Sequence, residues 1–433
     1  MSGRAGARRV TAKVVALGSR GEGIVETDAG PLYLPATAPG DEVALTVRRD
    51  RDGRILPEAW EVTRPSPLRA RPACPHFGAC GGCALQHVRE EVYAAWITER
   101  IRRALATQGL DGFADRIAEP AISPPGSRRR LVLHAARAGS RVVFGLNARR
   151  SHRIVDLEVC AVAVPELWRT VRTLRPLLDR LAAGGPLTVT ATMTDTGIDI
   201  LLAGGPPPAD PDLLADLAEW AEAADVAALS WSDGGRPQRL VERRQPLVTF
   251  AGIPVPFPGG AFLQATAAGE QALQRAVADW AGGAQGVVDL FAGLGTLSLP
   301  LAEGRRILAV EGDGAAVEAL GQAAAAAGLG PRFRTLHRDL FRSPLSAREL
   351  DAFALAVVDP PRAGAKEQMR AIAASALPRV ALISCNPNTW ARDAGILVDA
   401  GFAIAEIRPV AQFLWSDAVE VASLLTREDG AGR

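Results

Sequence analysis

The strongest constraint on the fold lies in the second half of the chain, where short apolar segments alternate with Ala-rich segments of helical length. The apolar segments are GVVDL, RILAVE, RFRTL, ALAVVD and VALIS, followed by a last pair near residues 402–408 and 419–426. Strands that alternate with helices favour a parallel sheet with helices packed on its faces. We therefore predict an α/β domain over residues 256–433.

Length and composition exclude several classes of protein. A chain of 433 residues predicts two or three domains, at roughly 150 residues per domain. Its 49 Lys and Arg residues balance 48 Asp and Glu residues, so only a local cluster can indicate a charged partner. No apolar run approaches the roughly 18 residues of a membrane helix, and the three Arg residues within residues 1–10 precede no apolar stretch. Five Cys in so long a chain do not form a disulfide framework. We expect a cytoplasmic protein without a membrane partner.

The first 66 residues have the pattern of a small β-domain. Residues 10–64 alternate apolar and polar positions in short runs, separated by glycines and by an Asp52-Gly53 turn. This pattern predicts an OB-like antiparallel barrel over residues 1–66.

A Pro-rich connector leads to a second region. Within it a helix is predicted from about Arg89 to Gln108, and the segments LVLHAA and RVVFGL form a predicted hairpin. Mixed strands and helices continue to about residue 250, so we predict a central α/β domain over residues 67–255.

Positive charge is concentrated in this central region. Residues 121–153 contain eight Arg and no acidic residue. The eight are Arg128, Arg129, Arg130, Arg137, Arg141, Arg149, Arg150 and Arg153. Such a stretch is typical of a phosphate-binding surface. The alternative is composition, because the chain has Lys only at positions 13 and 366 and uses Arg elsewhere. Composition alone would place acids among the arginines, so we favour a nucleic-acid interface.

Three cysteines stand in C-x5-C-x2-C, at Cys74, Cys80 and Cys83, and Cys160 is the only other one in the first half of the chain. Thiolates on a Gly-rich loop, completed by one ligand from elsewhere, suit either tetrahedral zinc or an iron–sulfur cluster. The five-residue spacing exceeds that of common zinc modules and favours the cluster. The alternative is four inert buried thiols, which leaves the clustering without a cause. Alternative ligands nearby are His76 and His87.

A glycine loop follows the first strand of the C-terminal domain. The segment VVDLFAGLGTLSLPLA predicts a strand, a Gly293-x-Gly295 turn and a helix whose amino terminus lies beside a bound ligand, as in Rossmann-like folds. Glu311 ends the next strand and could accept hydrogen bonds from ribose hydroxyls. Both NAD and S-adenosylmethionine sites use this geometry, but Ser298 replaces the third glycine of a dinucleotide fingerprint, which disfavours NAD. The alternative is a tight turn that binds nothing.

Two further strands end in unusual turns. ALAVVDPPRAG places Asp359 at the end of one strand, and VALISCNPNTWARD places Cys385 at the end of the next. Ligands of open parallel sheets bind at the carboxyl ends of the strands, so these residues and the glycine loop should converge on one crevice. Cys385 is the only Cys after residue 160 and is a candidate nucleophile. The alternative is a buried thiol with a packing role only.

These motifs together resemble the class I bacterial RNA 5-methyluridine methyltransferases, and most closely their iron–sulfur type that acts on 23S ribosomal RNA. The resemblance covers the barrel, the C-x5-C-x2-C loop with Cys160, and the segments DLFAGLGTLSLPLA, DPPRAG and SCNPNTWARD. It implies a TRAM domain over residues 1–66, a central domain with a [4Fe-4S] cluster and RNA-binding strands, and a C-terminal S-adenosylmethionine domain. It implies as cluster ligands Cys74, Cys80, Cys83 and Cys160. It matches to cofactor- or substrate-site positions Gln264, Phe291, Glu311, Asp339 and Asp359.

The chain departs from the family pattern at two places. The family commonly has Asn where this chain has Thr266, and an Asp-x-Phe-Pro segment where this chain has VAQFLW, so that Ala411 takes the place of the Asp. The Glu of that last segment is retained as Glu420.

The resemblance also implies a reaction. Cys385 would add to C6 of a uridine so that C5 can attack the methyl group of S-adenosylmethionine, and Glu420 would remove the C5 proton. The expected partner is RNA, most closely 23S ribosomal RNA with tRNA as the alternative substrate, and the protein is expected to be a monomer. A catalytically silent RNA-binding scaffold is the other alternative, and the retained nucleophile and base disfavour it.

Overall fold

The computed structural model describes residues 8–50 and 54–427, and the first strands form a β-rich region. These strands are β1 (Arg8–Lys13), β2 (Ala16–Leu17), β3 (Gly23–Val25), β4 (Leu32–Leu34), β5 (Glu42–Arg49) and β6 (Ile55–Arg64). They make two antiparallel sheets, ordered β1-β5-β6 and β2-β3-β4, around a shared core that includes Val14, Leu34 and Leu45. The predicted β-rich region is therefore confirmed, whereas its closure as an OB-like barrel stays a prediction. The predicted Asp52-Gly53 turn and both ends of the chain lie outside the described residues.

The central region is built on one mixed sheet. Its elements follow α1 (Glu90–Thr107) and β7 (Ala121–Ile122) along the chain. They are β8 (Arg130–Ala138), β9 (Arg141–Asn147), β10 (Ile154–Asp156), α2 (Pro165–Arg172), α3 (Arg175–Leu181), β11 (Leu187–Thr194), β12 (Gly197–Ala203), α4 (Pro211–Ala223), β13 (Val226–Ser232) and β14 (Gln238–Glu242). The strand order is β10-β9-β8-β11-β12-β13-β14, with β12 and β13 parallel. The predicted hairpin is present as β8 and β9, and it turns at Gly139 with a φ of +66°.

The C-terminal region alternates strands and helices as predicted. Its elements are β15 (Leu247–Phe250), β16 (Ile253–Pro256), α5 (Ala267–Ala281), β17 (Gly286–Leu290), β18 (Arg306–Glu311), α6 (Gly314–Ala326), β19 (Phe333–His337), α7 (Ala347–Leu350), β20 (Leu355–Val358), α8 (Lys366–Ala373), β21 (Arg379–Ser384), α9 (Pro387–Asp399), β22 (Phe402–Ala411) and β23 (Glu420–Arg427). The large sheet has the order β19-β18-β17-β20-β21-β23-β22-β7. Only β23 of this sheet, among the described residues, runs against its neighbours.

Both faces of this sheet are covered. Successive residues of a strand point to opposite faces, so Val287 packs into one core and Val288 into the other. The core on one face includes residues of α5 and α6, such as Leu273 and Leu320. The core on the other face includes residues of α1, α8 and α9. This is the two-sided covering expected of a parallel sheet, and the predicted α/β fold is confirmed.

Part of the predicted central domain packs on the C-terminal sheet. The buried face of α1, including Trp96, Ile97 and Ile101, shares a core with the strands of that sheet, and β7 pairs with the end of β22. Residues 90–122 thus lie against the C-terminal sheet although the sequence pattern places them within residues 67–255. The amphipathic α1 explains this, because an apolar helix face must be buried and the sheet offers the apolar surface.

The prediction of an α-helix directly after the glycine loop is wrong. Residues 293–298 form turns, and only a short 3₁₀ segment follows at Leu299–Leu301. Pro300 lacks a backbone N–H and Gly304 turns the chain at a φ of +70°, so the segment is too short for an α-helix. In the described parts of the chain no helix has the length and apolar character to cross a membrane.

Candidate active site

Five predicted site residues lie at the carboxyl edge of the large sheet, one at the end of each of the five neighbouring strands β19, β18, β17, β20 and β21. Each one ends a strand or follows its end within two residues. They are Phe291 after β17, Glu311 in β18, Asp339 after β19, Asp359 after β20 and Cys385 after β21. The parallel direction of these strands brings side chains distant in sequence to one edge.

Glu420 lies at the same edge because it begins a strand, β23, that runs antiparallel to β21. The antiparallel register pairs Ser384 of β21 with Val421 of β23. Cys385 lies one residue beyond this pair and Glu420 one residue before it, so both lie at the same end of adjacent strands. The reversed direction of β23 is therefore what brings the predicted base next to the predicted nucleophile.

A chain of hydrogen bonds joins the two carboxylates of the site. The Gln264 amide donates from Nε2 to Oδ2 of Asp359 at 3.2 Å. The Gln412 amide donates from Nε2 to Oε1 of Gln264 at 2.7 Å and to Oε2 of Glu420 at 2.8 Å. Sequence reasoning missed Gln412, because a glutamine after the end of a strand has no motif or spacing that marks it.

Burial dominates the electrostatics of this group. Glu420 is only 4% exposed, and burial together with the charge of Asp359 raises its pKa above the ordinary value. Burial likewise raises the pKa of Asp359, while the hydrogen bond from Gln264 opposes the shift. The pKa of the Cys385 thiol is raised to about 11 by burial and by the charges of Glu420 and Asp359, against a smaller opposing effect of Arg362. The thiol is therefore neutral near pH 7 in the protein without substrate.

The glycine loop leaves space beside the sheet edge. Gly295 has a φ of +83°, and a Cβ there would lie 2.5 Å from Leu320 Cδ1, so only glycine fits. Gly293 has a φ of +53°, and a Cβ at this position would meet nothing within 4 Å. The loop therefore presents bare backbone to open space, as a close-fitting cofactor requires.

Glu311 is bound to this loop by its carboxylate. Its Oε2 accepts a hydrogen bond from the Gly293 N–H at 2.9 Å, and its Oε1 accepts from the N–H groups of Gly312 and Asp313 at 2.6 and 2.8 Å. A carboxylate has about four acceptor positions, so one remains for a ligand hydroxyl.

Phe291 and Asp339 lie where β17 and β19 end, beside a cavity at the carboxyl edge of the sheet. Phe291 has a φ of +64°, an uncommon value for a bulky residue, and its ring lies 5.4 Å from that of Phe341. Asp339 accepts a hydrogen bond at Oδ1 from the Phe341 N–H at 2.9 Å. Both rings border a cavity that continues to Gly364. The predicted Phe291 and the unpredicted Phe341 thus form an aromatic wall, and Asp339 bonds the backbone that carries Phe341.

The family departure at Thr266 has a structural explanation. Its hydroxyl accepts a hydrogen bond from the Gly269 N–H at 3.0 Å and caps α5, and it also bonds the Ser123 hydroxyl at 2.7 Å. Asn and Thr are both preferred at helix N-caps, so the substitution preserves the cap. Ala411 is buried and pairs with Ile122 of β7.

The four cysteines predicted as ligands lie together. Cys74, Cys80, Cys83 and Cys160 line one small cavity. The Cys80 segment is held there by the Gly81 N–H, which donates to the Asn147 carbonyl at 2.9 Å. Burial raises the pKa of the Cys83 thiol to about 12 and also raises the pKa values of Cys80 and Cys160.

The described residues contain no group of three or more His, Cys, Asp or Glu side chains arranged to hold a single metal ion. The cavity thus brings together the four predicted sulfur ligands, and the cluster that they would hold stays a prediction.

The Arg stretch does not form one exposed surface. Arg129 donates from Nε to the Gln264 carbonyl at 3.0 Å and forms a mostly buried ion pair with Glu270. The Arg128 guanidinium stacks over Phe413 and faces Cys83 and Cys160. Arg128 and Arg129 thus have partners inside the fold, which the charge pattern could not reveal, and their contact with RNA stays a prediction. The exposed arginines of the stretch are Arg137, Arg141, Arg150 and Arg153.

Comparison with known proteins gives the family. No family model matches the chain. An uncharacterized RNA methyltransferase of Mesorhizobium japonicum is 40% identical over 413 residues, which cover 95% of this chain and 96% of the relative. The 23S rRNA (uracil(1939)-C(5))-methyltransferase RlmD of Halomonas elongata is 32% identical over 447 residues, covering 95% and 88% of the two chains. The chain belongs to the RNA 5-methyluridine methyltransferase family. It is thus an RNA methyltransferase, as the motifs predicted.

The fold is that of a solved member of this group of enzymes. The tRNA (uracil-54, C5)-methyltransferase of Pyrococcus abyssi, solved with S-adenosyl-L-homocysteine, superposes with a TM-score of 0.74. The match covers 96% of this chain and 100% of the other at 19% identity. At this identity the likeness concerns the fold, from the β-rich region to the methyltransferase sheet.

Proposed function

We propose that this RNA methyltransferase transfers a methyl group from S-adenosylmethionine to C5 of a uridine through a covalent adduct between Cys385 and C6. One observation carries the proposal: Cys385 and Glu420 lie beside each other at the ends of β21 and β23, with Asp359 joined to Glu420 through two amides. A silent scaffold would have no need to bury these two carboxylates beside a thiol.

The first step is addition of the thiolate. C5 of uracil is a weak nucleophile, and addition of Cys385 Sγ to C6 produces an enolate whose electron pair lies on C5. The half-buried Cys385 thiol must release its proton to solvent water as Sγ adds to C6, because its pKa of about 11 keeps it neutral beforehand. With S-adenosylmethionine bound, the electron pair on C5 would take the methyl group, the S–CH₃ bond would break, and S-adenosylhomocysteine would be the leaving group.

The second step is proton removal. After methyl transfer C5 carries both the methyl group and its original hydrogen, and a base must take that proton before the bond between Sγ and C6 can break. Glu420 is the proposed base, since its carboxylate adjoins the nucleophile. Gln264 and Asp359, joined at 3.2 Å, are proposed to hold the uracil edge or the enolate oxygen.

The chain's own residues also offer a binding place for S-adenosylmethionine. Gly293 borders open space, Glu311 keeps one acceptor position, and Phe291 and Phe341 form an apolar wall. Glu311 would hold the ribose, and the aromatic wall with Asp339 would hold the adenine end. When bound, the cofactor supplies the electrophilic methyl group.

We further propose 23S ribosomal RNA as the substrate, which the name of the Halomonas elongata relative supports. The alternative is tRNA, the substrate in the name of the Pyrococcus abyssi enzyme. The test is transfer of labelled methyl to each RNA, transcribed without modifications, followed by mapping of 5-methyluridine. Methyl transfer to 23S RNA fragments and not to tRNA is expected. Exclusive transfer to tRNA would overturn the choice of substrate, and transfer to neither would overturn the reaction.

For the cysteine cavity we propose a [4Fe-4S] cluster held by Cys74, Cys80, Cys83 and Cys160. Arg128 faces two of these sulfurs, and its positive charge favours the thiolate form that ligands require. The cluster would act as a structural link and not as a redox centre. We also propose that the protein works in the cytoplasm, as a monomer.

A further inference from the structure

The amide of Gln412 occupies the centre of the active-site hydrogen bonds. It is 1% exposed, and each of its polar atoms has a partner. Its Oε1 accepts a hydrogen bond from the Ala265 N–H at 2.9 Å. Its Nε2 donates to the side chains of Gln264 and Glu420.

One backbone group fixes the direction of this whole chain of bonds. The Ala265 N–H can only donate, so the oxygen of the Gln412 amide must face it. The NH₂ group of Gln412 then faces Gln264 and Glu420, and its two hydrogens are both used. Gln264 must therefore turn its oxygen toward Gln412 and its NH₂ group toward Asp359.

We propose that Gln412 is a positioning residue for the methyl transfer reaction, which fixes the orientation of the Gln264 amide and binds the carboxylate of Glu420. The inference rests on the proposed function and deepens it. Gln264 then has one N–H on Asp359 and its second N–H left for the uracil edge. Glu420 is held by a donor that favours its charged form, which is the form a base needs.

The hydrogen bond from Gln412 to Glu420 should matter most after methylation, when Glu420 removes the C5 proton. Besides Gln412, the groups that face Glu420 are Asp359, whose negative charge disfavours a second one, and Cys385, which is an uncharged thioether in the adduct; Arg362 acts electrostatically on Cys385. The Gln412 amide therefore opposes the effects of burial and of the Asp359 charge on the Glu420 carboxylate. Without it the Glu420 carboxylate takes up a proton at a higher pH.

The experiment measures release of the methylated adduct against pH in single-turnover reactions with a minimal uridine-containing RNA. Gln412→Met keeps the length of the side chain and removes the amide. In wild type the release rate should rise with pH as Glu420 loses its proton; we call this rise the limb of the profile. In Gln412→Met the limb should lie about one pH unit higher, so that release near neutral pH is about tenfold slower. Gln412→Glu, of nearly the same shape, should move the limb further because it adds a negative charge. It also covers the case in which the Met variant fails to fold.

A matched control is Gln368→Met. Gln368 is also 1% exposed, and its amide bonds only the backbone of Leu345, at 2.9 and 3.2 Å. This variant loses a buried amide of the same kind, beside the aromatic cavity and without a contact to Glu420, so with saturating cofactor the limb of its pH profile should stay at the wild-type position. Normal wild-type turnover with an unshifted limb in both Gln412 variants would overturn this inference alone. A wild-type protein that forms no methylated adduct would overturn the proposed function and the inference with it.

Discussion

The guanidinium carbon of Arg128 lies 5.0 Å from the centre of the Phe413 ring. Phe413 follows Gln412 directly, and the Arg128 guanidinium also interacts electrostatically with Cys83 and Cys160. A single stacked pair therefore links the cysteine cavity to the segment that carries the active-site amide. Arg129 extends the link, because it bonds the carbonyl of Gln264.

Because of this link, we expect a cluster in the cysteine cavity to stabilise the active-site segment that carries Gln412. Protein purified without oxygen should be brown and contain about four irons per chain. Cys83→Ala should lose the iron and lower the melting temperature, since the cavity would lose its bound group. Iron analysis, absorption spectra and thermal unfolding check these outcomes. One zinc per colourless chain would contradict the cluster and leave the methyltransferase reaction unaffected.

The arginines of the stretch should separate into two groups. Replacing the exposed Arg137, Arg141 and Arg153 together should weaken RNA binding. The slope of the logarithm of the binding constant against the logarithm of salt concentration should become shallower by up to about three, because up to three phosphate contacts are lost. Arg129→Met should instead cost about 3–5 kcal/mol of unfolding free energy, because it leaves Glu270 buried without its partner. Binding titrations at several salt concentrations and denaturant unfolding distinguish the two effects. An unchanged salt dependence in the triple variant would show that these arginines do not contact phosphate.

The high pKa of Cys385 predicts slow alkylation near neutral pH. The rate of carbamidomethylation at Cys385 should rise about tenfold per pH unit from neutral pH toward the pKa of about 11. Glu420→Gln should increase the rate at about pH 9, since it removes a charge that opposes the thiolate. Peptide mass mapping against time gives the rate at this one cysteine. A plateau near neutral pH would mean that the thiolate is already formed in the free protein.

The buried Glu420 should also make the protein less stable as the pH rises. Its pKa is higher in the folded state than in the unfolded state, so the folded state binds more protons between the two values. Stability is then full below the unfolded pKa and falls as the pH rises through the window toward the folded pKa, by about 1.4 kcal/mol for each unit of the shift. Glu420→Gln should reduce this dependence, leaving the part that the buried Asp359 and Asp289 contribute, and should unfold at a higher temperature than wild type above the window. Equal melting temperatures at low and high pH in both proteins would contradict the buried charge.

The sequence was enough to predict the sheet edge, because an apolar run that ends in Asp359 or Cys385 marks the carboxyl end of a strand. It could not supply the direction of β23 from spacing, and Glu420 was recognised only through the family resemblance. Gln412 bonds Gln264 across 148 positions, a contact that no local pattern encodes. Arg128 and Arg129 illustrate a second limit, since a charge pattern contains no information about partners inside the fold.

The measurement that tests the central claim most directly is a denaturing gel of protein mixed with RNA and labelled methyl donor. Cys385→Ala should give no methyl transfer and no covalent complex, because no enolate forms without addition at C6. Glu420→Gln should accumulate a covalent complex that already carries the labelled methyl group, because the C5 proton is no longer removed efficiently. A labelled complex with Cys385→Ala, or full turnover without a complex for Glu420→Gln, would contradict the assigned roles.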